Sequence, residues 1–244
     1  PAGGETEIFL PMRSVVHLIF GTLAVPTAVQ SSAAGTVTDQ MGRSVVVPDD
    51  PRRVVALAPS ITEIVYALGR EDRLVGVTRF SDFPPAAKHL PRVGSYVHLD
   101  LERIVALAPD LCIAAKDGNP KAVIQRLEAL QIPVYAVNPV DLAAIGETIL
   151  EVGGLLNARL AAQSLVAEMN ARITAVKNRV AATTHRPRVF FQIGISPIVS
   201  VGSGTFIHEL ITMAGGTNVA AGALPYPRFS REETIALAPE IVII

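Results

Sequence analysis

The 244 residues include no tryptophan and a single cysteine, Cys112. One cysteine builds no disulfide framework, and it stands far from the amino-terminal apolar stretch where a lipid would be attached. Long runs of Lys or Arg are missing too. With 21 basic against 22 acidic residues and a net charge of −1, the chain does not present a nucleic-acid groove as its main surface. No G-x-S-x-G elbow occurs, so that form of serine chemistry has no carrier. Cys112 sits in an apolar, strand-like run, where burial raises a thiol pKa rather than lowering it. His89, His98, His185 and His208 are scattered and form no paired ligand motif, so no metal site is expected.

Half of the chain is hydrophobic, enough to bury a substantial core in one large domain or two smaller ones. Met12 and Arg13 precede SVVHLIFGTLAVP and the small-residue run TAVQSSAAG. This is the pattern of a secretory signal cleaved near Ala34, with residues 1–11 ahead of the true start. Its apolar stretch is too short to span a bilayer. Residues 1–34 are therefore read as leader, and the mature protein as periplasmic.

Beyond the leader, GTVTDQMGRSVVVPDDP alternates on both sides of Gln40–Arg43 and predicts a hairpin. Strands then alternate with helices. A strand over 54–58 leads to a helix opened by Ser60 or Thr62 and ended by Gly69, then to a strand at RLVGVT and a loop broken by Pro84, Pro85 and Pro91. A helix over 102–108, a strand over 111–115, a helix over 120–130 and a strand over 134–137 follow. Residues 35–140 thus form an α/β lobe with a parallel sheet covered on both faces. No proline interrupts the span from Asp141 to Ala182. Leu160, Leu165, Met169, Ile173, Val176 and Val180 recur at helical intervals, predicting a helix of about seven turns. Within a connection over 141–186 it is either a stiff spacer or a helix packed on one lobe. Over 187–244 the order restarts with a strand at RVFFQIG and a helix at FIHELITMAGG.

One phrase is written twice. LERIVALAPDLCI begins at Leu101 and REETIALAPEIVI at Arg231, a displacement of 130 positions that sets Glu102 on Glu232 and Asp110 on Glu240. Solenoid repeats recur every few tens of residues, so two copies at this distance point to two similar lobes. By the same displacement, the counterpart of the strand at 134–137 falls near 264–267, past the last residue, and the second lobe reads as truncated.

Gly202-Ser203-Gly204 resembles the start of a dinucleotide fingerprint, but Ile207 replaces the third glycine and no acidic residue follows at the required distance. A tight turn entering a helix accounts for it better. Aromatics make up only 5% of the chain. Phe80, Phe83 and Tyr96 nevertheless share one post-strand loop, and Tyr226 stands between Pro225 and Pro227 in the matching loop of the second lobe. They form either flat apolar walls of a shared cleft or a small core that anchors the loops.

The stretches GVTRFSDFPPAAKHLP, LERIVALAPDLCIA, VFFQIGISP and LPYPRFSREETIALAPEIVI resemble the periplasmic cobalamin-binding proteins, which are helix-bridged, class III substrate-binding proteins of ABC importers. The resemblance runs from about Val37 to the end. It implies two Rossmann-like lobes joined by a long bridging helix. It also implies a monomeric, non-catalytic protein that holds cobalamin or a related corrinoid between the lobes and delivers it to a permease dimer. By position, Phe80 or Phe83, Tyr96 and Tyr226 match the aromatics that flank the corrin ring. Glu102 and Glu232 resemble the two surface glutamates that dock on permease arginines, although each carboxylate would also favour its helix amino terminus. The family often has tryptophan among its aromatics where this chain has none, and Ala115 stands where some members carry an aromatic. Heme or a ferric siderophore therefore stays open as ligand. A Rossmann-like cofactor-dependent enzyme is the reading of a different class, and it would need the fingerprint that Gly202 to Ile207 leaves incomplete.

Overall fold

The computed structural model describes residues 34–244; the expected leader lies outside them except for Ala34. Strands β1 (Ala34–Thr38) and β2 (Ser44–Pro48) make the expected antiparallel hairpin. Then come β3 (Val54–Ala56), α1 (Pro59–Ala67), β4 (Leu74–Val77), α2 (Leu101–Ala106), β5 (Leu111–Ala115), α3 (Lys121–Ala129) and β6 (Val134–Val137). Helix α1 starts at Pro59, not at Ser60 or Thr62, because a proline in the first turn needs no N–H partner and is already set at a helical φ. The four strands form a parallel sheet in the order β4-β3-β5-β6.

Successive side chains of a strand point to opposite faces, and this sheet buries both. Val54, Ala56, Leu111 and Ile113 face α1 and the hairpin, whereas Val55, Leu57, Cys112 and Ala114 face α2 and α3. The hairpin is tied down at its turn, where the buried Asp39 carboxylate accepts from the backbone N–H groups of Met41 and Arg43, from the Arg43 guanidinium and from Ala136 N–H. Burial raises the Asp39 pKa, but Arg43 and the backbone donors together outweigh it and hold the carboxyl below its usual value.

Helix α4 (Leu142–Leu155) covers the face shared with α1, and α5 (Arg159–Ala181) follows it. At 23 residues α5 has about six turns and is ~34 Å long. It is held at both ends. Near its start Ala162 packs so closely on α4 that a methyl at Gly153 would lie 2.4 Å from Ala162 Cβ, and near its end Val180 covers Gly215.

Past α5 stand β7 (Arg188–Ile195), β8 (Ile198–Ser200), α6 (Phe206–Met213), β9 (Thr217–Asn218), β10 (Arg228–Phe229), α7 (Arg231–Ala236) and β11 (Ile241–Ile243). Strands β9 and β11 pair in parallel with β7, while β8 and β10 continue the sheet antiparallel. Its core is small, centred on Val189, Val201 and Ile211. Glu209 of α6 reaches α4, accepting from Leu142 N–H at its start at 2.9 Å.

The twice-written phrase has a structural meaning. In each copy a short helix ends, an alanine takes a left-handed turn (Ala108 φ 43°, Ala238 φ 41°), a proline follows, and an acidic residue opens the next strand. An arginine at the start of the neighbouring strand, Arg53 just ahead of β3 and Arg188 as the first residue of β7, then closes the end. Arg53 donates to Leu107 O and Ala108 O at 2.6 and 3.0 Å. Arg188 donates to Leu237 O and Ala238 O at 2.6 and 3.1 Å. The acid answers by accepting the arginine's own N–H, Asp110 from Arg53 at 3.0 Å and Glu240 from Arg188 at 3.1 Å. Immediately beyond, Val54 pairs with Leu111 and Val189 with Ile241. Each clamp thus satisfies orphan helix carbonyls and sets a parallel register. The two arginines are 135 positions apart instead of 130, so a gapless alignment of the phrases does not reach them.

Arg53→Met and Arg188→Met keep the aliphatic stem and remove the clamp. Each is expected to lower unfolding stability by about 1–2 kcal/mol, the scale of partly solvated charged hydrogen bonds, and the two losses should add because the clamps share no partner. Urea denaturation midpoints measure this; unchanged midpoints would show that water fully replaces the clamps.

Candidate ligand site

Open parallel sheets meet ligands at the loops leaving the carboxyl ends of their strands. In the first sheet the longest of these follows β4, and its base is rigid. The buried Ser81 hydroxyl bonds those of Thr62 and Thr78 at 3.0 and 2.9 Å, and Arg92 Nη1 donates to Thr78 O and Ser81 O at 2.7 and 2.9 Å. With these polar groups satisfied beneath, the loop turns its aromatic side chains outward. The Phe80 and Tyr96 rings meet edge to face with centroids 6.4 Å apart. The Arg79 guanidinium lies 4.8 Å from the centre of the Phe80 ring, adding a cation to the aromatic wall that sequence reading passed over. Phe83 lies farther along the same loop.

In the second sheet the carboxyl ends of β7, β9 and β11 share one edge, since these strands run in parallel. Ile193 and Ile195 near the end of β7 are exposed, as are Leu224 and Tyr226 in the segment after β9. That segment is seated on Gly202. Gly202 N–H donates to Pro225 O at 2.8 Å, and a methyl at Gly202 would fall 1.9 Å from Leu224 O. The glycine pair makes the expected tight turn, with Gly204 at φ 76° and Thr205 capping α6 by accepting from His208 N–H at 3.2 Å. The backbone of residue 224 occupies the space above Gly202, so the missing side chain there serves the chain's own loop.

Among the described residues, Phe80, Phe83, Tyr96 and Tyr226 are the exposed aromatics, at 39–65% of full exposure, and the others are at least partly buried. A core that anchors loops would bury them; these four instead face solvent from carboxyl-end loops of the two sheets. A recess of about 650 Å³ lies elsewhere, between the hairpin and α4, and touches none of these loops. Its polar wall is partly satisfied from within, Tyr135 OH donating to Glu151 at 2.9 Å.

Glu102 and Glu232 stand in the first turns of α2 and α7, both exposed. The capping there belongs to their neighbours. Asp100 accepts from Arg103 N–H at 3.1 Å, and Ser230 and Glu233 form a reciprocal capping box. Among the described residues neither Glu102 nor Glu232 has a hydrogen-bonded or ionic partner for its carboxylate.

Two of the histidines have structural partners. His208 Nδ1 lies 3.1 Å from Asn218 Nδ2, and His185 pairs with Glu240 at 3.0 Å. Burial, with a smaller contribution from Asp110, pushes the Cys112 thiol up to about 12. Among the described residues no three His, Cys, Asp or Glu side chains gather as a metal site.

A family described as periplasmic binding protein matches residues 54–244. The vitamin B12-binding protein of Vibrio campbellii is 35% identical over 192 residues, covering 78% of this chain and 70% of that protein. Among solved structures, the periplasmic vitamin B12 binding protein of Vibrio cholerae is similar with a TM-score of 0.70 at 31% identity, covering 80% of this chain and 76% of the other. A periplasmic heme-binding protein from Roseiflexus sp. RS-1 is similar with a TM-score of 0.73 at 30% identity, covering 78% and 75%.

Gly202→Ala sets a methyl against backbone that has no side chain to swing away. The Leu224–Pro227 segment should lift off, and proteolysis should cut near Tyr226 in the variant before the wild type. Equal protection would mean that the segment is held without Gly202.

Proposed function

This chain belongs to the periplasmic binding protein family, and on that premise we propose that it captures cobalamin or a related corrinoid between its aromatic loops and delivers it to an ABC importer. The observation that carries the reading is the placement of the four exposed aromatics on carboxyl-end loops of two separate sheets. Flat apolar rings on two bodies suit a broad, flat ligand clamped from both sides. The similarity to vitamin B12-binding proteins supports a corrinoid as that ligand. The role is capture without turnover, in the periplasm.

Heme is the second reading. Solved heme binders are about as similar, and both exposed tyrosines carry hydroxyls that could ligate iron. Titration with cyanocobalamin, cobinamide, hemin and a ferric siderophore separates the candidates, with a saturable one-to-one corrinoid complex as the expected result. Tyr96→Ala or Tyr226→Ala should weaken it roughly 10- to 100-fold, the scale of a lost aromatic wall, while Phe at either position should be nearly silent. Loss of binding in the Phe variants with a heme-like spectrum would transfer the assignment to heme.

Glu102 and Glu232 are the proposed contacts with the permease. A two-fold partner presents the same surface twice, and the protein answers with one unpaired carboxylate in each copy of its repeated phrase. Reversing both to Lys should leave ligand affinity unchanged and abolish stimulation of the importer, placing like charges where opposite ones met at a cost of several kcal/mol. Added salt should weaken wild-type association. Full stimulation by the double variant would leave the glutamates without a docking role.

A further inference from the structure

The loop after β5 contributes no aromatic, yet one of its side chains joins three parts of the first sheet's carboxyl edge. Asn119 Oδ1 accepts from Ala115 N–H at 2.8 Å, while Asn119 Nδ2 donates to Leu57 O at 2.8 Å and to Tyr96 O at 2.7 Å. Leu57 follows β3, Ala115 ends β5, and Tyr96 lies on the long loop after β4. The orientation of the amide is forced by its partners, because an N–H needs the oxygen and two carbonyls need the NH₂ group. A local turn would need only the first of these bonds. The other two reach partners 62 and 23 positions away.

The preceding residue completes the seat. Gly118 has φ 112°, and a methyl there would lie 2.3 Å from Tyr96 Cδ2 and 2.5 Å from Cε2. Its bare Cα therefore lies against the Tyr96 ring. The backbone of Tyr96 is hung from Asn119 and its ring rests on Gly118, with Phe80 at the ring edge.

We propose that Asn119, together with Gly118, is a positioning residue that holds Tyr96 in the attitude of a ligand wall and locks it to the ends of β3 and β5. The inference rests on the reading of Tyr96 as part of the ligand site. A flat wall binds well only if it is pre-set, because ordering an exposed ring at the moment of binding subtracts from affinity.

The test is Asn119→Asp, which keeps the acceptor for Ala115 N–H and loses both donors, with Gly118→Ala as a second variant that disturbs the ring side of the seat. The chain contains four tyrosines, so 3-fluorotyrosine labelling yields four ¹⁹F resonances, that of Tyr96 being assigned by its loss in Tyr96→Phe. In both variants the Tyr96 resonance should shift or broaden while those of Tyr66, Tyr135 and Tyr226 stay in place, showing that the fold persists. Cyanocobalamin affinity should fall on the order of tenfold in Asn119→Asp, and should fall no further when the change is made in a Tyr96→Ala background. An unmoved Tyr96 resonance, or an equal affinity loss with and without Tyr96, would overturn the proposal. A wild-type protein that binds no corrinoid would refute the ligand assignment alone, since the resonances test the seat without any ligand.

Discussion

The arginine that closes the end of a short helix and hands its own N–H to the acid of the next strand is the constraint from which both halves of the molecule are built. A parallel strand pair has no hairpin to set its register, so something at its start must do so. Here Arg53 with Asp110 and Arg188 with Glu240 do it by the same bond, an arginine backbone N–H to a carboxylate, in both sheets. Helix carbonyls that would otherwise be orphaned become the second half of the clamp. Once the amino ends of β3 with β5 and β7 with β11 are aligned, their carboxyl ends are aligned as well. Loops that leave a common edge can then present side chains to one ligand.

The clamps and the exposed aromatics occupy opposite ends of the strands. At the clamp end charged side chains meet backbone groups, each arginine donating to two carbonyls at the helix end and each acid accepting from backbone N–H. At the carboxyl end the polar groups are satisfied beneath the surface, by the hydroxyls around Ser81 in the first sheet and by Asn218 below Val201 O in the second. What faces solvent there includes the four aromatic rings, with the Arg79 guanidinium against Phe80. Unlike these rings, Glu102 and Glu232 sit on helices just ahead of the clamps, so the same repeat that aligns the strands also places a carboxylate on each half of the surface.

Much of this was legible in advance because the signals were local. The strands at Val54, Leu111, Val134 and Arg188 stand out as apolar runs bounded by turn residues, and the uninterrupted helix formers before Ala182 announce α5. Strands β8 and β10 escaped, since three and two residues carry no periodicity and their pairing of Val199 with Arg228 is remote. The clamping arginines escaped because their spacing differs from that of the phrase they complete. Phe80, Phe83, Tyr96 and Tyr226 could be nominated from loop position, but whether such aromatics point into the protein or out of it depends on what satisfies the loop from below.

The sequence by itself determined the α/β class, the recurrence of one helix-to-strand phrase, and the loops in which aromatic residues would stand. Periodicity, proline placement and composition act over a few neighbouring residues, and these features need nothing more. The tertiary structure alone decided that four aromatics face solvent, that Gly202 lies beneath the Leu224–Pro227 segment, and that one amide at Asn119 joins residues from three loops. Those outcomes depend on donors and acceptors brought within 3 Å across tens of residues, and no local pattern records which distant partner a side chain will meet.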